Sequence, residues 1–255
     1  MLSVKKGLVL FFANITKTLC YVFNFFFPKK RFIIPPSAKA LKKAKYEQKI
    51  PRIIWQTNYT DRVTLPVYLN YLFNRFISPT YEHRFVSTEE RAEFIKANYS
   101  KEIFDAYSKI QIGAAQADFW RVLVLQKLGG IYLDIDATVV TSLDNLIKKD
   151  DTIVFLNVKG NKICNSFLAA APNVPELEKV INQIMQNIKE NTIKNVFEMT
   201  GPGVYRKLFD VTKYSTFPYK STFQGGFTNE YFQYVDKAEG KWYRQQKTTP
   251  IIKQD

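Results

Sequence analysis

Two carboxylates stand two residues apart at the end of an apolar run, in the string Gly129-Gly130-Ile131-Tyr132-Leu133-Asp134-Ile135-Asp136. Alternate residues of an extended strand share a face, so Asp134 and Asp136 can meet one ligand. Hard divalent cations prefer carboxylate oxygens, and a bound cation is a common way to hold a diphosphate. Asp118 precedes them, with Arg121 three residues further on. On a helix those two share a face, where an arginine suits a phosphate or a sugar hydroxyl. The chemistry on offer is capture of a diphosphate through a divalent cation.

A bare D-x-D recurs by chance and in surface turns, so its surroundings must carry the reading. Ala114 to Leu128 has no breaker and is apolar almost all round, and Gly129-Gly130 stops it, which predicts a buried helix. Ile131 to Ile135 then reads as a strand that delivers the aspartates. Upstream, Ile53-Ile54-Trp55-Gln56 predicts a buried first strand, Pro66 to Ile77 a helix, and Arg84-Phe85-Val86 a short strand. Ser87 or Thr88 caps a further helix with Glu89, Glu90 and Glu93 in its early turns, and Lys101 to Ile110 forms another. Downstream, strands are expected at Thr152 to Leu156 and Ile163 to Ala170, and helices at Pro175 to Lys189 and Val204 to Phe209. A late strand is expected at Tyr231 to Val235. Strands alternating with helices indicate an α/β fold with a mainly parallel sheet, in which ligands sit beyond the carboxyl ends of the strands.

Composition bounds the partners. The 255 residues are 46% hydrophobic and 24% charged, ordinary for one globular core. The net charge of +14 would suit nucleic acid, but its distribution argues against that. Residues 1–49 hold 11 Lys/Arg and one acid, Glu47, so +10 of the excess lies in an N-terminal arm. Within that arm, Gly7 to Phe27 is strongly apolar, while Ser3, Lys6, Asn14, Lys17, Thr18 and Asn24 form a polar stripe broken by Leu10 and Tyr21. Such a helix suits a membrane interface, with Lys5, Lys6, Lys29, Lys30 and Arg31 holding anionic headgroups, although its length also approaches a single span. Residues 1–30 are thus expected to be a membrane-associating segment, 31–49 a basic linker and 50–255 the catalytic domain. Two lone cysteines, Cys20 and Cys164, have no metal-ligand spacing and fit a reducing compartment. The expected location is the cytoplasmic face of a membrane, peripheral or held by a single anchor.

The extended string Ala117-Asp118-Phe119-Trp120-Arg121, Leu125, Gly129-Gly130, Ile131 to Asp136 resembles the family-32 glycosyltransferases with a DxD sugar-binding region. These include the yeast initiating α-1,6-mannosyltransferases and the catalytic domain of the clostridial glucosylating toxins. Ile50-Pro51-Arg52-Ile53-Ile54-Trp55-Gln56-Thr57 resembles the family's opening strand, Asn165 to Ala170 a following strand, and Thr200-Gly201-Pro202-Gly203 a later turn. The resemblance implies a GT-A type, Rossmann-like fold with a mixed, mainly parallel sheet flanked by helices. It further implies a nucleotide-sugar donor, Mn²⁺ or Mg²⁺, and hexose transfer with retention of configuration to a glycan or glycolipid acceptor. By the same resemblance Asp136 and Asp134 serve as catalytic metal ligands, and Trp55, Gln56, Thr57, Asp118, Arg121, Tyr132 and Asn165 serve the donor. Relatives carry a His or acid shortly before a C-terminal Trp. Here Trp242 is preceded only by Asp236 and Glu239 as candidate third ligands, with Lys241 and Arg244 as candidate diphosphate contacts.

Other readings compete. Asp118 and Arg121 can form a plain i,i+3 ion pair, and Trp55 can be core. His83 reads as structural. Asp134-Ile135-Asp136-Ala137-Thr138 also fits the D-x-D-x-T nucleophile motif of haloacid-dehalogenase-type phosphatases, but too far from the N-terminus and without the later G-D-x-x-x-D. A non-catalytic, membrane-tethered sugar-binding protein would keep the same fold. The expected acceptor is a surface glycan such as lipopolysaccharide, lipooligosaccharide or capsule, and the expected donor a UDP-sugar, with GDP-mannose as the alternative.

Overall fold

The computed structural model describes residues 2–253, so the expected outer limits at residues 1 and 255 lie outside the described residues. Helix α1 (Leu2–Phe26) is followed by short strands β1 (Phe32–Ile33) and β2 (Ser37–Ala38), and then by β3 (Ile53–Thr57). Next come β4 (Arg62–Val63), α2 (Leu65–Ile77), β5 (Glu82–Val86), α3 (Thr88–Asn98), α4 (Lys101–Lys109) and α5 (Gly113–Leu128). Strands β6 (Gly130–Leu133) and β7 (Ala137–Val139) flank the aspartates. The chain continues through β8 (Ile153–Val158), β9 (Lys162–Ala170), α6 (Pro175–Glu190), α7 (Val196–Met199) and α8 (Pro202–Leu208). It ends with β10 (Ser215–Pro218), β11 (Thr222–Gln224), α9 (Glu230–Gln233) and α10 (Trp242–Thr248).

A seven-stranded sheet runs in the order β10-β8-β9-β6-β3-β5-β2. β10, β8, β6, β3 and β5 share one direction, and β9 and β2 oppose it. The sheet is therefore mixed and mainly parallel. β6 lies at its centre with all four residues buried. One side is covered by the apolar faces of α5 and α6, with Phe119, Trp120, Leu177 and Ile184 in one cluster. Ile54, Ile131 and Leu133 point into a second cluster on the other side, with Ala137 and Val139 of β7.

Local chemistry explains the boundaries. Ser87 accepts from the Glu90 amide while the Glu90 carboxylate accepts from the Ser87 amide, a full capping box for α3. Gly129 has φ 65°, and a Cβ there would lie 2.8 Å from Cδ of both Pro51 and Pro172. The glycine pair is thus what lets α5 turn straight into the central strand.

Two elements differ from expectation. Tyr231 to Val235 forms no strand: Asn229 caps the short helix α9, its side-chain oxygen accepting from the Phe232 amide at 3.2 Å, and Phe232 is buried. The segment expected as a basic linker is not a free tether. β1 pairs with β4, β2 adds an antiparallel edge to β5, and Ile34 between them is fully buried.

His83 sits on β5, buried, with neither ring nitrogen hydrogen-bonded. Its ring stands edge-on to Tyr71 at 5.6 Å. Burial, helped by the Arg75 charge, lowers its pKa from 6.5 to about 3. A lowered folded-state pKa gives stability that is fully present above about pH 6.5 and is lost as pH falls toward about 3. Over that window His83 should cost about 1.4 kcal/mol per pH unit. Urea unfolding of the His83→Phe variant at pH 7, 6 and 5 should show a flatter acid limb than the wild type.

Candidate functional site

The aspartates leave the carboxyl end of β6 and open into a cavity of about 690 Å³. Its walls come from the end of β3, from α3, α5 and β9, and from the segment 224–245. Arg121 organises the inner wall. Its Nη2 lies 2.8 Å from Asp118 Oδ1 and 3.5 Å from Asp134 Oδ1. Nη1 donates to the Asn165 carbonyl, and the guanidinium lies 4.1 Å from the centre of the Tyr132 ring. Both Asp118 and Arg121 are buried, so the i,i+3 pair exists and is held away from water. Asp118 also accepts from Asn165 Nδ2 at 2.9 Å and from Thr200 Oγ1 at 3.2 Å. Burial outweighs these partners and raises its pKa to about 6.

The D-x-D pair is asymmetric. Asp134 Oδ1 is taken by the Tyr132 hydroxyl at 2.8 Å and by Arg121, while its Oδ2 faces the cavity. Among the described residues no cation forms an ion pair with Asp136, and the Arg121 charge acts on it only weakly. Gln224 Nε2 bridges the pair, 3.1 Å from Asp134 Oδ2 and 3.1 Å from Asp136 Oδ1. Burial first, then the Asp134 charge, pushes Asp136 up to about 7. Two oxygen donors short of positive charge fit a hard divalent cation. Asp134 and Asp136 would hold it, and the Gln224 amide, turned to present its oxygen, is a further donor within reach of both.

The remaining residues divide. Thr57, Tyr132 and Asn165 line the cavity with Asp118, Arg121, Asp134 and Asp136. Trp55 does not. Its indole donates to the Gly129 carbonyl at 2.9 Å and packs edge-on to Trp120, because alternation on β3 turns it toward α5. Gln56 is likewise buried, reaching the Asp134 carbonyl at 3.4 Å. Neither proposed third ligand reaches the aspartates. Asp236 is held by Arg31 at 2.6 Å, and Glu239 is exposed on the surface. Among the described residues no group of three His, Cys, Asp or Glu side chains forms a metal cluster. Lys241 lines the cavity but is paired with Glu230 at 2.7 Å, and Arg244 does not line it.

Sequence reasoning missed Gln224 and Arg91, and it had Thr200 only as the start of a family-like turn. Arg91 of α3 is buried in the cavity wall; Nη2 donates to Thr88 Oγ1 at 2.8 Å, and Nε has no protein partner. The capping-box pattern reported the helix, but nothing in the string marks Arg91 as inward-facing. Gln224 lies far along the chain in a region without a motif.

The fold is of the GT-A type. It superposes on the PaToxG glycosyltransferase with a TM-score of 0.53 at 17% identity, covering 80% of this chain and 78% of that one. Residues 66–153 match the family described as glycosyltransferase sugar-binding region containing DXD motif. The chain is related to the initiation-specific alpha-1,6-mannosyltransferases of Schizosaccharomyces pombe, at 27% identity over 63% of this chain and 48% of that one, and of Candida albicans, at 28% over 51% and 37%. An uncharacterized glycosyltransferase of Acanthamoeba polyphaga mimivirus is 25% identical over 65% of this chain and 66% of its own length. The chain thus spans half or less of the two mannosyltransferases.

Replacing Arg121 by Met leaves Asp118 buried without its cation. Loss of one partner of a buried pair costs about 3–5 kcal/mol. Chemical denaturation of Arg121→Met should show a loss of that size, and a loss under about 1 kcal/mol would mean the pair is not holding the wall together.

Proposed function

We propose that the chain transfers a hexose from a nucleotide sugar to a glycan or glycolipid acceptor at a membrane surface, with retention of anomeric configuration. The observation that carries this is the Asp134/Asp136 pair, short of positive charge and open to a cavity large enough for a nucleotide sugar. A divalent cation there, Mn²⁺ or Mg²⁺, supplies neutralisation of the charge gathering on the departing diphosphate. Asp136 and Oδ2 of Asp134, now bridged by Gln224, would hold the cation. Asp118 and Asn165, locked by Arg121 and Thr200, shape the sugar end of the cavity. Arg91, with its unpartnered Nε, contacts an anionic or carbonyl oxygen of the donor. Acceptor attack from the leaving-group face, with the diphosphate taking the acceptor proton, gives retention without a protein nucleophile.

UDP is the proposed nucleotide. The similarity to alpha-1,6-mannosyltransferases favours a second reading, with GDP-mannose as donor. The membrane component rests on α1, which is long and apolar enough to cross a bilayer, with a mean hydropathy of 1.5. The proposed setting is the cytoplasmic face of a bacterial membrane during assembly of lipopolysaccharide, lipooligosaccharide or capsule. Nucleic acid is not a proposed partner.

A thermal-shift screen of UDP- and GDP-sugars with and without Mn²⁺ tests the reading, since a ligand that binds only folded protein raises its apparent stability. One nucleotide sugar should stabilise the protein in a Mn²⁺-dependent way. Asp136→Asn should abolish transfer and remove that Mn²⁺ dependence. Binding without turnover under any acceptor would select the non-catalytic sugar-binding alternative. Arg91→Met should raise the donor KM roughly tenfold to a hundredfold, the range for a lost hydrogen bond to a charged group, and an unchanged KM would remove Arg91 from the donor site.

A further inference from the structure

Helix α1 has two unlike faces. Inward, Ala13 and Cys20 are buried against the body. Lys17 Nζ donates to the carbonyl oxygens of Gly225 and Gly226, each at 3.0 Å. The Tyr21 hydroxyl accepts from Asn229 Nδ2 at 2.6 Å, and its ring lies 4.5 Å from that of Phe232. Asn24 Nδ2 donates to the Tyr231 hydroxyl at 3.2 Å, and the Lys6 ammonium lies over the Phe223 ring at 5.2 Å. Outward, Leu8, Phe12, Ile15, Leu19, Val22 and Phe26 are 45% to 67% exposed.

The polar stripe of the sequence is therefore divided. Lys6, Lys17 and Asn24 are spent on the body, and Ser3, Asn14 and Thr18 stay on an exposed flank. A spanning helix would meet hydrocarbon on all sides. Docked α1 cannot do that without dragging the body, its polar loops included, into the bilayer. Crossing would require it to leave the body, stripping Lys17 of two acceptors and uncovering Phe232. A continuous apolar face of this kind in water marks a binding surface. The charge chooses the occupant. α1 contains no acid, Lys29 and Lys30 follow it exposed, and residues 1–49 carry a net +10. Those features match an anionic bilayer surface. α2, which packs against α1, adds exposed Leu72 and Phe76.

The segment under α1 is also the outer wall of the cavity. Gln224, which bridges the aspartates, adjoins Gly225, and Gly225 and Asn229 line the cavity that α1 backs. We propose that α1 lies flat on an anionic bilayer while staying docked on the Gly225–Phe232 segment, so the membrane-binding helix is a structural part of the donor site. This rests on the membrane attachment proposed above.

The test uses the full chain added outside sealed phosphatidylcholine vesicles with and without phosphatidylglycerol. Ser3→Cys and Lys30→Cys variants are treated with a membrane-impermeant thiol reagent, and labelled peptides are identified by mass. Both positions should label on vesicles, while native Cys20 stays unlabelled. Protection of Ser3→Cys with labelling of Lys30→Cys would show a span and overturn the proposal. Labelling of Cys20 on vesicles would show that α1 has left the body and would also overturn it. The Phe12→Ser/Leu19→Ser variant should lose at least tenfold in binding to phosphatidylglycerol vesicles with an unchanged thermal midpoint, and undiminished binding would overturn the proposal. Wild type that ignores both vesicles, and instead forms a dimer by light scattering, would overturn the membrane attachment as well.

Discussion

The site depends on one buried guanidinium. Arg121 cannot shed its proton, so wherever it is buried it must be surrounded by acceptors. It finds them on three elements: Asp118 on its own helix, Asp134 just beyond the central strand, and the Asn165 carbonyl on β9. The Tyr132 ring adds its face. α5, β6 and β9 are therefore fixed relative to one another by electrostatics as well as by packing. The reversed direction of β9 belongs to this arrangement, since it runs beside β6 and brings Asn165 into the cavity wall.

That constraint divides the two motif aspartates. One oxygen of Asp134 is committed to the wall, through Arg121 and Tyr132, and the other accepts only from Gln224 among side chains of the described residues. Asp136 faces Gln224 alone among side-chain hydrogen-bond donors in the described residues. The pair thus combines a carboxylate already anchored in the protein with one still short of positive charge. An anchored ligand positions a cation, and an under-compensated one attracts it. The two residues look equivalent in the string, yet their surroundings give them different work.

Much of this was legible in the sequence. The apolar helix, its glycine stop and the strand that follows are local signals, and they placed Asp118, Arg121, Asp134 and Asp136 together. The alternation of strands and helices pointed to the mainly parallel sheet, and the family resemblance to its mixed character. What the string hid was long-range or directional. Trp55 shares a strand with Thr57, and only the packing of α5 shows that its indole is core while Thr57 reaches the cavity. Asp236 was a plausible ligand by type and position, but Arg31 from the distant arm takes it. Gln224 meets the aspartates because β11 pairs with β7, a contact with no signature in either segment. The late strand expected at Tyr231 was really an Asn-capped turn of helix.

The pairing of β11 with β7 makes the site sensitive to alignment. Gln224 lies opposite Ala137, Phe223 opposite Thr138 and Thr222 opposite Val139. Side chains on a strand alternate between faces, so a slip of one residue exchanges them wholesale. It would turn an aromatic ring toward two carboxylates and move the amide out of reach. Gly226 helps to hold the register. A side chain there would come within 2.7 Å of the Phe223 ring and 2.9 Å of Thr138 Oγ1. The geometry of the aspartate pair is thus guarded by a three-residue ribbon whose correctness is decided when two distant segments first align during folding.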